Sequence, residues 1–215
     1  MSRAPVLDIR KQEEFRRTID RVRRSLFAGG VIAFPTDTFY GLGADPFNPE
    51  AVEKLFHLKN REGKNPILVL IPAEKKLSLF TREVNADARA LIETFWPGPL
   101  TILFPALPSL PHALTAGSGK IGVRLPGSAA TRHLLEEVGP LTATSANLAQ
   151  GPNPETLESI PDAVAGNCDY LIDGGAATES SPSTLIDTVA EPPVLIREGV
   201  ISRQQIEDCL GRKIA

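Results

Sequence analysis

The segment from residue 30 to residue 71 constrains the fold most, because it reads as strand, turn, helix and strand in succession. Residues 31–34 form an apolar run that is short enough for a buried strand and is ended by a proline. A turn is predicted at Gly41-Leu42-Gly43, and a helix over residues 50–58, with Asn48 as its N-cap, follows it. A second strand is predicted over residues 66–71. Strands that alternate with helices are typical of an α/β sheet.

The remaining chain continues this alternation. Residues 11–28 carry apolar side chains on one helical face, at Phe15, Ile19, Val22 and Leu26. Other helices are predicted from a cap at Asn85 or Asp87 through residue 95, over 129–138, and over 203–210 after Ser202; other strands are predicted over 100–104, 121–125, 141–144, 170–172, 184–187 and 194–197. The short late strands indicate some antiparallel pairing. We expect a single domain over residues 1–215, a length that one core can serve.

Charge and composition exclude several classes of protein. The formal net charge is −3 and the isoelectric point is near 5.7, whereas a protein with a broad nucleic-acid footprint is normally basic. The apolar runs are far shorter than the roughly 20 residues that span a bilayer, and the N-terminus carries charges instead of a signal core. Cys168 and Cys209 lie in no C-x-x-C pair, so neither a zinc site nor a disulfide framework is indicated. We expect a cytoplasmic protein without a metal held by its own side chains.

Three common nucleotide-binding or catalytic motifs are incomplete in this chain. Gly117-Ser118-Gly119-Lys120 resembles the end of a P-loop, but Leu114 and Ile121 occupy the places of its first glycine and its final hydroxyl residue. Gly41-Leu42-Gly43 lacks the third glycine of a dinucleotide fingerprint, and no G-x-S-x-G nucleophile elbow occurs. A nucleotide would therefore be bound outside these frameworks.

Four features could form a site for a polar ligand. Lys59 and Arg61 are alternate residues that would project to one side of an extended segment, where their cations suit phosphate; an ordinary charged surface is the alternative. Thr144-Ser145-Ala146-Asn147 follows an apolar strand, a position where ligands often bind, although such residues also cap ordinary turns. Arg124 lies inside a predicted strand, where a buried charge needs a partner. That partner is either an acidic side chain in a salt bridge or the carboxylate of a substrate. Arg197, at the end of another strand, raises the same question.

Taken together, these features resemble the YrdC-like family of threonylcarbamoyl-AMP synthases over nearly the full length of the chain. The matching stretches, in order, are Pro35-Thr36-Asp37-Thr38-Phe39-Tyr40-Gly41-Leu42-Gly43, Lys59-Asn60-Arg61, Asn65-Pro66, Trp96-Pro97-Gly98-Pro99, Val123-Arg124-Leu125-Pro126, Thr144-Ser145-Ala146-Asn147, Asp173-Gly174-Gly175, Ser183-Thr184-Leu185-Ile186-Asp187 and Leu195-Ile196-Arg197-Glu198-Gly199. The resemblance implies a twisted open mixed sheet with flanking helices around a concave, positively charged cavity. It also implies the short form of the family, without the extra C-terminal domain of some relatives.

The resemblance further implies an enzyme that condenses L-threonine, bicarbonate and ATP into threonylcarbamoyl-AMP and pyrophosphate, for the t6A37 modification of tRNA. Lys59 and Arg61 would be the catalytic cations that meet the ATP phosphates. The nucleotide-binding positions would be Lys59, Arg61, Asn65, Lys120, Ser145, Ala146, Asn147 and Arg197. The threonine-binding positions would be Thr38, Arg124, Thr144 and Ser183, with Arg124 facing the carboxylate. Mg²⁺ would be held mainly by the ATP phosphates.

Three positions depart from the family's pattern. Glu62 stands where many relatives have proline, Leu70 where many have histidine, and Ala149 where serine is frequent. These departures bear on the substrate contacts more than on the class of reaction. Two alternatives stay open: a non-catalytic module that binds double-stranded RNA or tRNA, and a carbamoyl-transfer relative that uses carbamoyl-AMP. Functional partners in t6A synthesis and weak RNA binding are expected, and a membrane partner is not.

Overall fold

The computed structural model describes residues 3–59, 66–148, 151–179 and 181–215. The strands are β1 (Val6–Asp8), β2 (Ile32–Phe34), β3 (Gly41–Gly43), β4 (Leu68–Leu70), β5 (Leu100–Pro105), β6 (Lys120–Arg124), β7 (Leu141–Ser145), β8 (Tyr170–Asp173), β9 (Thr184–Asp187) and β10 (Val194–Arg197). The helices are α1 (Gln12–Phe27), α2 (Pro49–Leu58), α3 (Ala86–Phe95), α4 (His112–Thr115), α5 (Ala129–Val138), α6 (Asp162–Ala165) and α7 (Arg203–Leu210), with a 3₁₀ helix at Glu74–Leu79.

The strands form one ten-stranded mixed sheet in the order β1-β8-β2-β3-β7-β4-β6-β5-β9-β10. The parallel neighbours are β1 with β8, β8 with β2, β4 with β6, and β5 with β9, and the other neighbouring pairs are antiparallel. The prediction of an α/β fold with a mixed sheet and flanking helices is confirmed. The antiparallel pairing expected late in the chain occurs between β9 and β10.

The helices form where the sequence provides both a cap and an apolar face. The side chain of Asn48 accepts a hydrogen bond from Ala51 N at the start of α2, as predicted. Asn85 caps α3 in the same way, and Ser202 forms a capping box with Gln205 at α7. Helix α1 buries the predicted face of four apolar residues. Helices α5 and α7 have the predicted bounds.

Apolar side chains cover both faces of the sheet. In β2, Ala33 belongs to one buried cluster, whereas Ile32 and Phe34 belong to another, as the alternation of side chains along a strand requires. The cluster around Phe34 includes residues of α1 and α5, and the opposite cluster includes residues of α2, α3 and α7. The sheet is therefore held between two layers of helices, and its strand ends remain available for a site.

The prediction of a turn at Gly41-Leu42-Gly43 is wrong, because these residues form β3 between β2 and β7. A Cβ on Gly43 would lie 2.7 Å from the ring of Phe34 and 3.2 Å from Thr142 O. The glycine is therefore needed for close packing, and not for a bend in the backbone. Strand β1, the short helices α4 and α6, and the 3₁₀ helix were also missed, since such short elements carry little periodicity.

Two further observations concern the helices and one of the cysteines. Within the described ranges, no helix is both long and apolar enough to cross a membrane. Cys168 is buried, and burial raises the pKa of its thiol to about 12, so that it carries almost no thiolate near neutral pH.

Candidate active site

A cavity of about 740 Å³ opens beside the central strands, within the range of roughly 300–1,000 Å³ typical of small-molecule pockets. Its walls come from several strands of the sheet and from the segment that follows β2. Eight residues predicted from the sequence line it: Thr38, Lys59, Arg124, Thr144, Ser145, Asn147, Ser183 and Arg197. Side chains up to 159 positions apart in the chain, as Thr38 and Arg197 are, thus meet at one cavity.

The first group in the cavity, the Lys59 cluster, consists of Lys59, Ser145 and Asn147. Lys59 is the C-cap residue of α2, and only 7% of it is exposed. Its ammonium donates to Ser145 O at 2.6 Å, to Ser145 Oγ at 3.0 Å and to Asn147 Oδ1 at 2.8 Å. Helix α2 and strand β7 are therefore tied together through a cation at the wall of the cavity.

Asn147 is itself held in one orientation. Its amide nitrogen donates to Gly151 O at 2.6 Å and to Asn153 Oδ1 at 3.3 Å, while its Oδ1 accepts from Ser145 Oγ at 2.7 Å. The amide oxygen consequently faces the lysine. An ammonium has three N–H groups, so an anion that binds Lys59 would replace one of these contacts or attract the charge without a hydrogen bond.

The second group, the Arg124 cluster, consists of Asp37, Thr38 and Arg124. The side chains of Arg124 and Asp37 are 3% and 8% exposed, and they form an ion pair. Arg124 also donates from Nε to Gly98 O at 3.0 Å and from Nη1 to Thr38 Oγ1 at 3.2 Å. The salt-bridge interpretation of Arg124 is thus confirmed. A guanidinium has five N–H groups. Nη2, which faces Asp37, is inaccessible to solvent, so a ligand in the cavity would bind through the second N–H of Nη1.

The hydroxyl groups beside Arg124 also have a defined direction. Thr36 Oγ1 lies 2.7 Å from Phe39 O, which can only accept, so the single hydrogen of Thr36 is used there. In the 3.1 Å contact between the hydroxyls of Thr36 and Thr38, only Thr38 therefore has a hydrogen to donate, while Thr36 Oγ1 also accepts from the backbone N–H groups of Thr38 and Phe39. Since Thr38 Oγ1 accepts from Arg124, one lone pair of Thr38 remains for a donor group on a ligand.

Arg197, in contrast to the buried Arg124, is exposed on the edge strand β10. It donates to Ser183 O from Nε at 3.1 Å and from Nη2 at 2.9 Å, and Nη2 lies 3.2 Å from Ser183 Oγ. Partial desolvation at the cavity lowers the pKa of Arg197, and the positive charge of Arg124 lowers it further. Its guanidinium stays charged at any working pH. Arg197 therefore brings a charge to the cavity wall.

Two predicted nucleotide-binding residues do not line the cavity. Lys120 begins β6, about 13 Å along that strand from Arg124, since a strand rises about 3.3 Å per residue. Its ammonium lies 2.5 Å from Asp187 Oδ2, so the structure does not bring it to the cavity wall. Ala146, between Ser145 and Asn147 in the chain, is fully buried. Arg61 and Asn65 lie outside the described residues, as do the departures Glu62 and Ala149, whereas Leu70 is buried and lines the cavity.

Three residues of the site were not assigned from the sequence. Thr36 and Asn153 line the cavity, and Asp37 holds Arg124. Thr36 and Asp37 lie in the motif that ends β2, and the requirement of a partner for a buried arginine pointed to a carboxylate without saying which one. In the described ranges no group of three or more histidine, cysteine, aspartate and glutamate side chains could hold a metal ion.

Comparison with known proteins gives the family. Residues 24–199 match the Sua5/YciO/YrdC family, which is described as telomere recombination. A threonylcarbamoyl-AMP synthase of Pyrococcus abyssi is 35% identical over 184 residues, which are 85% of this chain and 54% of that protein. A putative threonylcarbamoyl-AMP synthase of Methanocaldococcus jannaschii is 33% identical over 198 residues, which are 92% of this chain and 93% of that protein. The chain belongs to the Sua5/YciO/YrdC family.

Solved structures agree with this assignment. The structure of P. abyssi Sua5 complexed with L-threonine is similar with a TM-score of 0.89 and 31% identity, over 99% of this chain and 62% of that one. E. coli YciO is similar with a TM-score of 0.79 and 28% identity, over 93% of this chain and 97% of that one. The chain spans about half the length of some curated relatives, such as the P. abyssi and Bacillus subtilis proteins, of which it covers 54% and 53%.

Proposed function

We propose that this chain condenses L-threonine, bicarbonate and ATP into threonylcarbamoyl-AMP and pyrophosphate, in the cytoplasm and for t6A37 modification of tRNA. The observation that carries the proposal is the meeting of the Lys59 cluster, the Arg124 cluster and Arg197 at one cavity of about 740 Å³. A cavity with separate cationic groups suits a substrate pair of which one carries phosphates and the other a carboxylate. We further propose that residues 1–215 act as one domain.

The phosphates of ATP would bind between Lys59 and Arg197, together with Arg61. Lys59 offers a compact charge that is fixed by Ser145 and Asn147, and Arg197 offers a planar fork held by Ser183. Asn65, Ser145, Asn147 and the backbone at Ala146 would complete the nucleotide site. We leave Lys120 out of it, because that lysine is paired with Asp187.

L-Threonine would bind at the Arg124 cluster. The N–H group of Arg124 Nη1 that Thr38 does not accept suits a carboxylate, and the remaining lone pair of Thr38 suits the amine. Thr144 and Ser183 line the same cavity and could contact the threonine hydroxyl. Support for this assignment comes from the related P. abyssi structure, which is complexed with L-threonine.

The proposed reaction needs positioning more than a protein nucleophile. The amine of threonine joins the carbon of bicarbonate with loss of water, and an oxygen of the carbamate then attacks the α-phosphorus while pyrophosphate leaves. Two anions must approach, so fixed cations at the cavity wall lower the repulsion between them. Mg²⁺ bound to the triphosphate would supply further charge neutralisation, and no described side-chain cluster offers it a site. The relatives named threonylcarbamoyl-AMP synthase support this class of reaction.

The test is to incubate the protein with ATP, Mg²⁺, bicarbonate and each of several amino acids, and to detect the carbamoyl-adenylate by mass. We expect a product with threonine, together with release of pyrophosphate. Lys59→Ala should lower the rate by roughly 100-fold or more, the usual cost of losing one charge-stabilising donor. Lys54→Ala is the matched control: Lys54 lies on the same helix and pairs with Asp169 outside the cavity.

A carbamoyl-adenylate that forms with carbamoyl phosphate but not with threonine would favour the carbamoyl-transfer alternative. Tight RNA binding that resists salt, without any adenylate, would favour the RNA-binding module instead. Equal rates for wild type and Lys59→Ala would remove Lys59 from the site.

A further inference from the structure

The Arg124 cluster contains a carboxylate that the proposed reaction does not use. Asp37 is 6% exposed; its side chain pairs with Arg124 and accepts a hydrogen bond from Gly127 N at 3.2 Å. Its backbone oxygen accepts from Thr178 Oγ1 at 3.1 Å and from Glu179 N at 2.9 Å. Asp37 is thus fixed at both its backbone and its side chain, and it is absent from the described wall of the cavity, which Arg124 lines.

Two guanidinium groups share this cavity, and a phosphate could bind to either of them. Arg124 and Arg197 both line it, and the charge of Arg124 is near enough to lower the pKa of Arg197. Arginine binds phosphate and carboxylate with the same fork, so its geometry alone does not separate the two ligands. What distinguishes the two residues is the buried carboxylate beside Arg124.

We propose that Asp37 determines the specificity of the part of the cavity beside Arg124: it orients Arg124 and offsets its charge, so that Arg124 binds a zwitterionic amino acid and not a phosphate group. A phosphate group carries about two negative charges near neutral pH, and Asp37 repels both. An amino acid brings an ammonium group with its carboxylate, so its net charge is zero and the repulsion is largely cancelled. The inference rests on the proposed function, because it assigns the amino acid to Arg124.

The test compares wild type with Asp37→Asn, which removes the charge and keeps the size and an acceptor oxygen. The threonylcarbamoyl-AMP formed would be quantified by chromatography while threonine, ATP and inorganic phosphate are varied. We expect the KM for threonine to rise about tenfold, with the KM for ATP changed less than about twofold. We also expect inorganic phosphate to become a competitive inhibitor against threonine, with an inhibition constant at least about tenfold below that of wild type.

Three further variants separate specificity from a merely structural role. Asp37→Glu keeps the charge on a longer arm, so threonine binding should weaken several-fold without admission of phosphate. Asp37→Asn combined with Arg124→Gln removes both charges, and phosphate should no longer compete with threonine. Asp87→Asn is the matched control: it removes a carboxylate that pairs with Arg212, neither residue lines the cavity, and its kinetics should equal those of wild type.

The proposal is overturned if phosphate inhibits wild type and Asp37→Asn equally against threonine, or if the KM values for threonine and ATP rise by the same factor. Should Asp37→Asn fail to fold, Asp37→Glu decides: competition by phosphate in that variant contradicts the proposal. If wild type forms no adenylate, the proposed function fails, and calorimetric titration of threonine and of phosphate into wild type and Asp37→Asn still tests Asp37.

Discussion

Arg124 and Arg197 end two strands of the same sheet and line the same cavity, yet their surroundings differ in kind. Arg124 is 3% exposed and paired with the buried carboxylate of Asp37. Arg197 is exposed on the edge strand and is held by the neutral oxygens of Ser183. Among the described residues, no ion pair involves Arg197.

The difference shows how one cavity can offer two kinds of cation. A guanidinium that is buried and paired with a carboxylate has a fixed plane, and the pair as a whole has little net charge, so it contributes mainly directed hydrogen bonds. A guanidinium held by neutral acceptors keeps its full charge, so it contributes attraction to anions. The paired Arg124 therefore suits a ligand that is recognised by directed hydrogen bonds, and Arg197 suits the phosphates of a nucleotide.

The largest expected contrast concerns stability. Arg124→Ala leaves the carboxylate of Asp37 buried without its partner. The loss of one member of a buried pair lowers the free energy of unfolding by about 3–5 kcal/mol. Arg197→Ala removes an exposed side chain and should cost less than about 1 kcal/mol. Urea unfolding of both variants measures the difference. An equal decrease in the free energy of unfolding of both variants would mean that the buried ion pair does not distinguish Arg124 from Arg197.

A second contrast concerns the substrates. Arg197→Ala should raise the KM for ATP by about 10-fold to 100-fold, because one charge-assisted contact to phosphate is lost, while the KM for threonine changes little. Initial rates at varied ATP and varied threonine check this. Arg197→Lys, which keeps the charge and loses the planar guanidinium, should raise the KM for ATP less than Arg197→Ala does. A larger rise for threonine than for ATP would reverse the assignment of the two arginines.

The smallest effect is expected for Ser183→Ala. The hydroxyl of Ser183 is one of the acceptors near Arg197, but the Ser183 carbonyl, which accepts from Nε and Nη2, remains in the variant. We therefore expect kcat/KM to fall about twofold to fivefold, which corresponds to the net free energy of a single hydrogen bond. Thr101→Val, which removes the other partner of that hydroxyl, serves as the companion variant. A 100-fold loss in Ser183→Ala would indicate a direct role of the hydroxyl in the reaction.

The sequence predicted the parts of the fold that local chemistry decides. The caps at Asn48 and Ser202 and the buried face of α1 follow from side chains within a few residues of each other. Strand β3 could not be predicted, because it depends on the packing of Gly43 against Phe34 and on pairing with β7, a hundred positions away. Glycine-rich segments carry a low strand propensity, so the local signal favoured a turn.

The candidate site shows the same division between local and distant contacts. The hydroxyl and amide residues at the end of β7 were predicted, and so was the need of Arg124 for a partner. That the partner is Asp37, and that Lys120 pairs with Asp187, depends on neighbours that lie 87 and 67 positions apart in the chain. Composition and periodicity do not encode such pairs. The family resemblance supplied the cavity residues, but it did not indicate which cations are neutralised.

The most direct test of the account is a crystal structure of the protein with a non-hydrolysable ATP analogue and L-threonine. We expect phosphate oxygens to contact Lys59 and Arg197, and the threonine carboxylate to contact Arg124 while Asp37 stays paired with that arginine. A triphosphate bound to Arg124, or a threonine bound outside the cavity, would contradict it.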